Sequence, residues 1–454
     1  MLVDLEIIFN NTYGYIQFTY EVPDKYNKNI RIGDIVEIPF RNKLRLGIVL
    51  NLESNNSYVD NIKPIKKIVA HLNNYQIRYL EQIAISNNIN IGMLLYKYID
   101  YKQLIKQKVI DKSSSSINKN SDLYLKIKNS NNIIFVSSLK EAKEVAKYLT
   151  SMGKVINFYQ KTGGVNEFTN FWKNLKQFEN IILLSVNFEK ILIKKSYKVH
   201  FYNCNNYSFS LPTLNNINIV ESSIIKHKIF KGNFYYYSEF PSLEFFNKVK
   251  NYFLEIPDVE FTYVYGNNLQ ECMELFDKMF NDHEMKIYTS NSNIDTISNK
   301  HKITNDITVT NLDAVILFNP TISHNGVLSS NRLINFIKTV TFFVKRNAEI
   351  IIFSTKKINL NKQLTDAKIN TWAEKEKTER AKYGPNINLK IFKVISDKEL
   401  DITRYRNYMV GPKLLGDLFV YELKIQINKK YNYNEIMSIF SILKNSELDR
   451  VRSL

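Results

Sequence analysis

RIGDIVEIPFRNKLRLGIVL, Arg31 to Leu50, alternates apolar and polar residues, breaks at Gly33 and Pro39, and alternates again to Gly47. That period belongs to half-buried strands, so two are predicted here, Asp34–Pro39 and Leu44–Asn51. Leu5–Phe9 and Tyr15–Tyr20 read the same way, and the set predicts a small β-barrel or sandwich over residues 1–70. Residues 73–99 change period: Ile77, Leu80, Ile83 and Ala84 recur at helical spacing. The basic, polar run KQLIKQKVIDKSSSSINKNSD, with Ser113–Ser116 at its centre, has no long apolar periodicity and reads as a linker.

Beyond it the pattern becomes strand–helix–strand. NNIIFVSS (Asn131–Ser138) is a continuous apolar strand, and Ala142, Val145, Ala146 and Leu149 mark the helix after it. KVINFYQ, a helix at Glu167–Leu175, NIILLSV and KVHFYN follow. A second unit holds a helix at Ser242–Phe253, VEFTYVYG, a helix at Leu269–Phe280, EMKIYTS, LDAVILFNP, a helix at Leu333–Val344 and AEIIIFSTK. Such alternation predicts parallel α/β sheets. The last ninety or so residues mix a helix at Thr371–Lys382, the strands NLKIFKVIS and FVYELKIQI, and a helix at Tyr433–Lys444, an α+β tail.

Composition sets bounds on function. A chain of 454 residues exceeds one ordinary core. With 44% hydrophobic and 13% aromatic residues it is not a disordered chain. Lys and Arg total 62 against 44 acids, a net charge of +18, which suits a polyanionic partner, although AT-rich codon usage raises lysine as well. Cys204 and Cys272 stand too far apart in sequence for a CxxC zinc site or a disulfide framework, and a reducing cytoplasm fits. MLVDLEIIFNN lacks the basic region of a signal peptide, and no run approaches a membrane span.

Three segments carry a family resemblance. FTYEVP (Phe18–Pro23), GDIVEIPFRNKLRLGIV (Gly33–Val49) and NIKPI with Lys63 are similar, in order and spacing, to the N-terminal signature of the PriA family, the replication-restart helicases also called primosomal protein N′. Glu376, Glu379, Arg380, Tyr383 and Pro385, then VGPKLLGDLFVYELKIQI (Val410–Ile427), resemble the end of that family, and GNNLQECMELF (Gly266–Phe276) one of its helix starts. The resemblance implies an N-terminal module that binds the 3′ end of a nascent strand, with Phe18, Thr19, Tyr20, Phe40, Arg41 and Lys63 lining the pocket. Aromatic faces can stack on bases, and Lys63 and Arg41 can pair with phosphate. Thr19 stands where the family has Asp, and Arg41 where it has Gly. The alternative for Phe18, Tyr20 and Phe40 is plain barrel core.

The helicase chemistry of that family is missing. No GxxxxGK[ST] loop occurs, and the chain has only 13 glycines. YNCN (Tyr202–Asn205) replaces the DEEH carboxylates that would hold Mg²⁺, with His200 the nearby titratable group beside Cys204. TVTFFVKR (Thr339–Arg346) replaces the arginine pair: Phe343 takes one place, and Arg346, with Lys345 beside it, the other. The stretch between Phe253 and Gly266 is too short for the zinc insertion and has no cysteine.

The expectation is therefore a multidomain α/β protein. It has a 3′ DNA-binding module at 1–105, a linker at 106–130, degenerate RecA-like lobes at 131–240 and 241–360, and a C-terminal α+β domain at 361–454. It is expected to be a cytoplasmic monomer that binds forked or 3′-ended DNA, with other replication or primosome proteins as partners, and without ATP, Mg²⁺ or zinc. The alternatives are an active ATP-dependent 3′–5′ helicase with divergent motifs and a protein-interaction scaffold.

Overall fold

The computed structural model describes residues 1–9, 17–54, 62–111, 113–118, 120, 122–127, 131–159, 165–174, 180–204, 219–238, 259–289, 300–304, 309, 311–320, 329–358, 360, 378, 389–426, 433–444 and 452–453. The chain divides into two compact units, Met1–Glu239 with Asn388–Leu454, and Phe240–Ile387.

The first unit begins with strands β1 (Leu2–Ile7), β2 (Phe18–Glu21), β3 (Asp34–Phe40), β4 (Lys43–Asn51) and β5 (Lys67–His71). They form an antiparallel sheet in the order β2-β1-β4-β3-β5. Its edges meet where Glu21 N donates to Lys63 O at 3.1 Å and Ile65 N donates to Glu21 O at 2.9 Å. β1 starts earlier than the expected Leu5, because the alternation of buried Val3, Leu5 and Ile7 already runs from residue 3. The expected strand at Tyr15–Tyr20 is found from Phe18, and residues 10–16 lie outside the described ones. Val3, Leu5, Ile7, Tyr20, Val36, Ile38 and Val49 fill one face. Helix α2 (Ile91–Lys97) packs on β1 and β4, and α1 (Asn74–Asn87) packs on α2. α1 starts at a capping box: Asn73 Oδ1 accepts from Gln76 N at 3.1 Å while Asn73 N donates to Gln76 Oε1 at 2.9 Å. Gly33 has φ +91, and a Cβ there would fall 2.4 Å from Ile77 Cδ1, so both backbone and packing call for glycine. A short α3 (Tyr101–Leu104) leads out of the module.

A six-stranded parallel sheet follows in the same unit. Its strands are β6 (Ser114–Asn118), β7 (Asn131–Val136), β8 (Ile156–Tyr159), β9 (Asn180–Leu184), β10 (Tyr197–Phe201) and β11 (Asn233–Tyr237), in the order β6-β11-β10-β7-β9-β8. The stretch expected as a linker is thus corrected: β6 pairs with β11 along five residues, and α4 (Asp122–Lys126) follows it. β6 is an edge strand held by backbone pairing, and its serines carry no apolar pattern. Helices α5 (Leu139–Ser151), α6 (Val165–Asn174) and α7 (Ile219–Phe230) accompany the sheet.

The second unit is a five-stranded parallel sheet. β12 (Phe261–Tyr265), β13 (Lys286–Thr289), β14 (Lys302–Thr304), β15 (Ala314–Phe318) and β16 (Glu349–Ser354) run in the order β12-β16-β15-β13-β14, with helices α8 (Leu269–Met279) and α9 (Ser329–Val344). The helix expected at Ser242–Phe253 lies outside the described residues, as does that at Thr371–Lys382 apart from Thr378.

The tail belongs to the first unit. β17 (Leu389–Ser396), β18 (Met409–Leu415), β19 (Leu418–Gln426) and β20 (Arg452–Ser453) make an antiparallel sheet, β18-β19-β17-β20, with α10 (Tyr433–Lys444). Among the described residues no helix is long and apolar enough to cross a membrane.

Candidate nucleic-acid interface

The β3–β4 connection is the shortest hairpin a chain can make. Phe40 pairs with Lys43, so only Arg41 and Asn42 form the turn, and both have left-handed backbone, φ +46 and +60. Asn tolerates that conformation, whereas Arg pays about 1–2 kcal/mol for it. The Arg41 guanidinium lies over the Phe40 ring at 5.3 Å. Phe40 in turn meets Phe18 edge-on, ring centroids 5.1 Å apart, and Phe9 at 5.5 Å. All three rings are half-buried against the module core. The turn thus ends in an aromatic patch with a cation on top.

The six residues singled out by sequence do not share one face. Phe18 and Tyr20 register with Leu5 and Val3 on the core face, whereas Thr19 registers with Asp4 on the opposite one. Tyr20 is buried, its hydroxyl donates to Pro39 O at 2.9 Å, and burial raises its pKa. Thr19 Oγ1 donates to Asp4 Oδ1 at 2.7 Å and lies 3.2 Å from Ser54 Oγ. Phe18, Phe40 and Arg41 come together, and exposed Lys63 is tied by its carbonyl to Glu21, one residue beyond Tyr20. Sequence reasoning passed over Phe9, Lys43 and Arg45. Lys43 and Arg45 pair with Phe40 and Ile38 and so share their face, both exposed. The signal was available: a two-residue turn puts residue 43 opposite residue 40.

A second candidate site is the crevice of the six-stranded sheet. The chain runs from β7 to the edge strand β8, returns to β9 beside β7, then crosses to β10 on the other side of β7, so the order reverses between β7 and β10. Open α/β sheets take ligands at the carboxyl ends of strands at such a point. Here Ser138 caps α5 by accepting from Glu141 N at 3.2 Å. Glu141 Oε2 accepts from Ser137 N at 2.9 Å and from the Ser137 hydroxyl, and its Oε1 accepts from Asn203 Nδ2 at 2.7 Å. Asn203, in left-handed backbone at φ +51, stands just past β10. A carboxylate of the chain itself therefore bridges the crevice and occupies the positive end of α5.

The other residues of interest are built into cores. His200 is buried, with Nδ1 2.9 Å from Tyr237 Oη and Nε2 3.0 Å from Asn132 Oδ1. Burial, assisted by Lys198 and Lys126, lowers its pKa to about 3, so it is neutral. Burial pushes the Cys204 thiol up to about 12. Phe343 is fully buried in the second unit, and Arg346 rests over Phe342 at 3.9 Å. The β6–α4 connection has room only for residues 119–121.

Comparison with known proteins bears on the first of these places. Residues 6–98, from β1 through α2, match the family model of the PriA 3′ DNA-binding domain. No curated protein matches the chain. Among solved structures it is similar to the Arterivirus nonstructural protein 10 helicase in complex with DNA, at 8% identity over 73% of this chain and 74% of that chain, TM-score 0.27. A crystal structure of the Arterivirus nonstructural protein 10 helicase gives 7% identity over 74% and 77%, TM-score 0.27. Likenesses that weak carry no weight for fold or function.

Proposed function

We propose that this chain is a DNA-binding protein of the primosome or replication-restart type that recognises branched DNA or the 3′ end of a nascent strand, because residues 6–98 match the family model of the PriA 3′ DNA-binding domain. The observation that carries this reading is that match, which runs from within β1 to the end of α2. The patch of Phe9, Phe18, Phe40 and Arg41 supports it, because stacking faces beside a cation suit a nucleotide and its phosphate. Lys63 supplies a further exposed cation near the end of β2. The test is fluorescence-anisotropy binding to forked DNA with and without a free 3′-OH at the junction, across a salt series. The reading expects preference for the 3′-OH fork and a loss of about ten-fold or more in Phe40→Ala, the usual cost of removing a stacking ring. Equal weak binding to every DNA, vanishing at moderate salt, would overturn it.

The same reading holds that the two parallel sheets are RecA-like folds without ATP chemistry. Glu141 bridging to Asn203 favours this, since a carboxylate already takes the hydrogen bonds a phosphate would need. The three-residue connection after β6 leaves no length for a loop that wraps phosphates. Single-turnover assays with radiolabelled ATP, Mg²⁺ and forked DNA should show no phosphate release. Turnover that scales with protein and survives further purification would restore the helicase alternative.

A further inference from the structure

We infer that the β3–β4 hairpin carries a track for single-stranded DNA, formed by the Phe9–Phe40–Phe18 patch and the cations Arg41, Lys43 and Arg45, which takes the unpaired nucleotides leading up to the 3′ terminus. The inference presupposes that the N-terminal module binds DNA ends, and it adds which nucleic-acid form is bound and which residues hold it. Three observations support it. Lys43 and Arg45 are successive residues of one strand face, about 6.8 Å apart along β4, a spacing that follows successive phosphates of an extended strand. Both are exposed, and neither makes an ion pair or side-chain hydrogen bond among the described residues. That face would ordinarily be core, since Val36, Ile38 and Val49 continue it inward. The row thus passes from buried aliphatics through half-buried rings to exposed cations, with Phe40 at the change.

Stacked rings beside a cationic row describe a single-strand site, because only unpaired bases can lay their faces on protein side chains. A duplex arm would meet the cations and leave the rings unused. Arg41 fits both parts, holding its guanidinium over Phe40 while it faces solvent. Its left-handed backbone keeps the turn at two residues, and that length sets Lys43 opposite Phe40.

The experiment uses the full-length chain and a primed duplex whose 3′ end carries zero, one, two, three or four unpaired nucleotides, in wild type, Lys43→Ala/Arg45→Ala and Lys63→Ala. Wild-type affinity should rise with tail length over the first two or three nucleotides and then level. In the double variant that rise should disappear. Its slope of log affinity against log salt should fall by about 1.4, from about 0.7 for each single-strand phosphate contact. Thermal melting checks that the variant, changed only at exposed positions, is folded. A double variant with wild-type tail dependence and wild-type salt slope would overturn the track while leaving 3′-end recognition standing. Wild type that ignores both the 3′ end and the tail would overturn 3′-end recognition itself, and the track with it.

Discussion

Replacing Tyr433 by Phe should cut the tail loose from the N-terminal module, and the loss should depend on pH. Tyr433 opens α10, and its hydroxyl is buried. It donates to Glu6 Oε1 on β1 at 2.7 Å and accepts from Ile91 N, the first residue of α2, at 3.0 Å. Glu6 Oε2 accepts from Gly92 N at 2.7 Å. One hydroxyl therefore joins α10 to two elements more than 300 residues before it, β1 and α2. Burial raises the Glu6 pKa from 4.5 to about 7, against the lowering effect of its bonds to Gly92, Tyr433 and Ile91. Above pH 7 the carboxylate is ionised, and losing a hydrogen bond to it costs about 1.5–3 kcal/mol. The Ile91 N–H also bonds to Glu6, which softens the second loss, so the total is about 3 kcal/mol at pH 8. At pH 5 Glu6 holds its proton, the bond is of the neutral kind, and the loss falls to about 1 kcal/mol. Hydrogen exchange read by mass spectrometry on peptides covering α2 and α10, with urea unfolding alongside, measures both. A Tyr433→Phe protein within about 0.5 kcal/mol of wild type, or equally weakened at pH 5 and 8, would refute the reasoning.

Three further outcomes follow from buried groups. Between pH 4.5 and about 7 the folded state keeps the Glu6 proton that the unfolded chain releases, so stability falls by about 3 kcal/mol as pH rises through that window, and Glu6→Gln should flatten this part of a urea-midpoint profile. His200 has the opposite sign: its pKa is lowered from 6.5 to about 3, so stability falls as pH drops through that range, and His200→Gln should remove that share of acid unfolding followed by near-UV circular dichroism. Lys226→Met leaves Glu189 buried without its cation and should cost about 3 kcal/mol in thermal melts, while Lys226→Met with Glu189→Gln should recover most of it.

Legibility followed local pattern. β3 and β4 were readable because alternation persists on both sides of the turn, and β7, β9 and β16 because continuous apolar runs bounded by polar residues are what a doubly covered strand needs. β6 was not, since three of its five residues are serines and only Ile117 is a buried aliphatic, too little to make an apolar pattern, while its place comes from backbone pairing with β11. α7 escaped because its buried positions include Ser222, Ser223 and Lys226, which mask the apolar stripe. At the site, Phe18, Phe40 and Arg41 were legible as a group. Thr19 was grouped with its neighbours although a strand sends residues 18 and 19 to opposite faces. The Glu141–Asn203 bridge joins residues 62 apart, and no sequence spacing announces it.

The six-stranded sheet is joined to the N-terminal module where α7 packs on α1. Tyr79 of α1 donates its hydroxyl to Glu189 Oε2, beside the sheet, and Lys226 Nζ of α7 lies 3.7 Å from the same oxygen. Lys226 also donates to Ile191 O at 3.3 Å and sits over the rings of Phe188 at 4.6 Å and Tyr79 at 5.5 Å. Taking this pair out of water costs several kcal/mol per ion, so an apolar cluster of the same volume would hold α1 at least as firmly. What an apolar cluster lacks is direction. A carboxylate met by one hydroxyl and one ammonium accepts α1 in a single rotation and register, and α1 is the helix on which Gly33 and the start of β3 lie. The sheet thus fixes the orientation of the strands that bear Phe40 and Arg41, and Glu6 with Tyr433 does the same from the tail. On this argument the double substitution at Lys226 and Glu189, though it recovers most of the melting temperature, should still loosen α1 on the sheet, visible as exchange in residues 74–87 that speeds up more than the small drop in global stability accounts for.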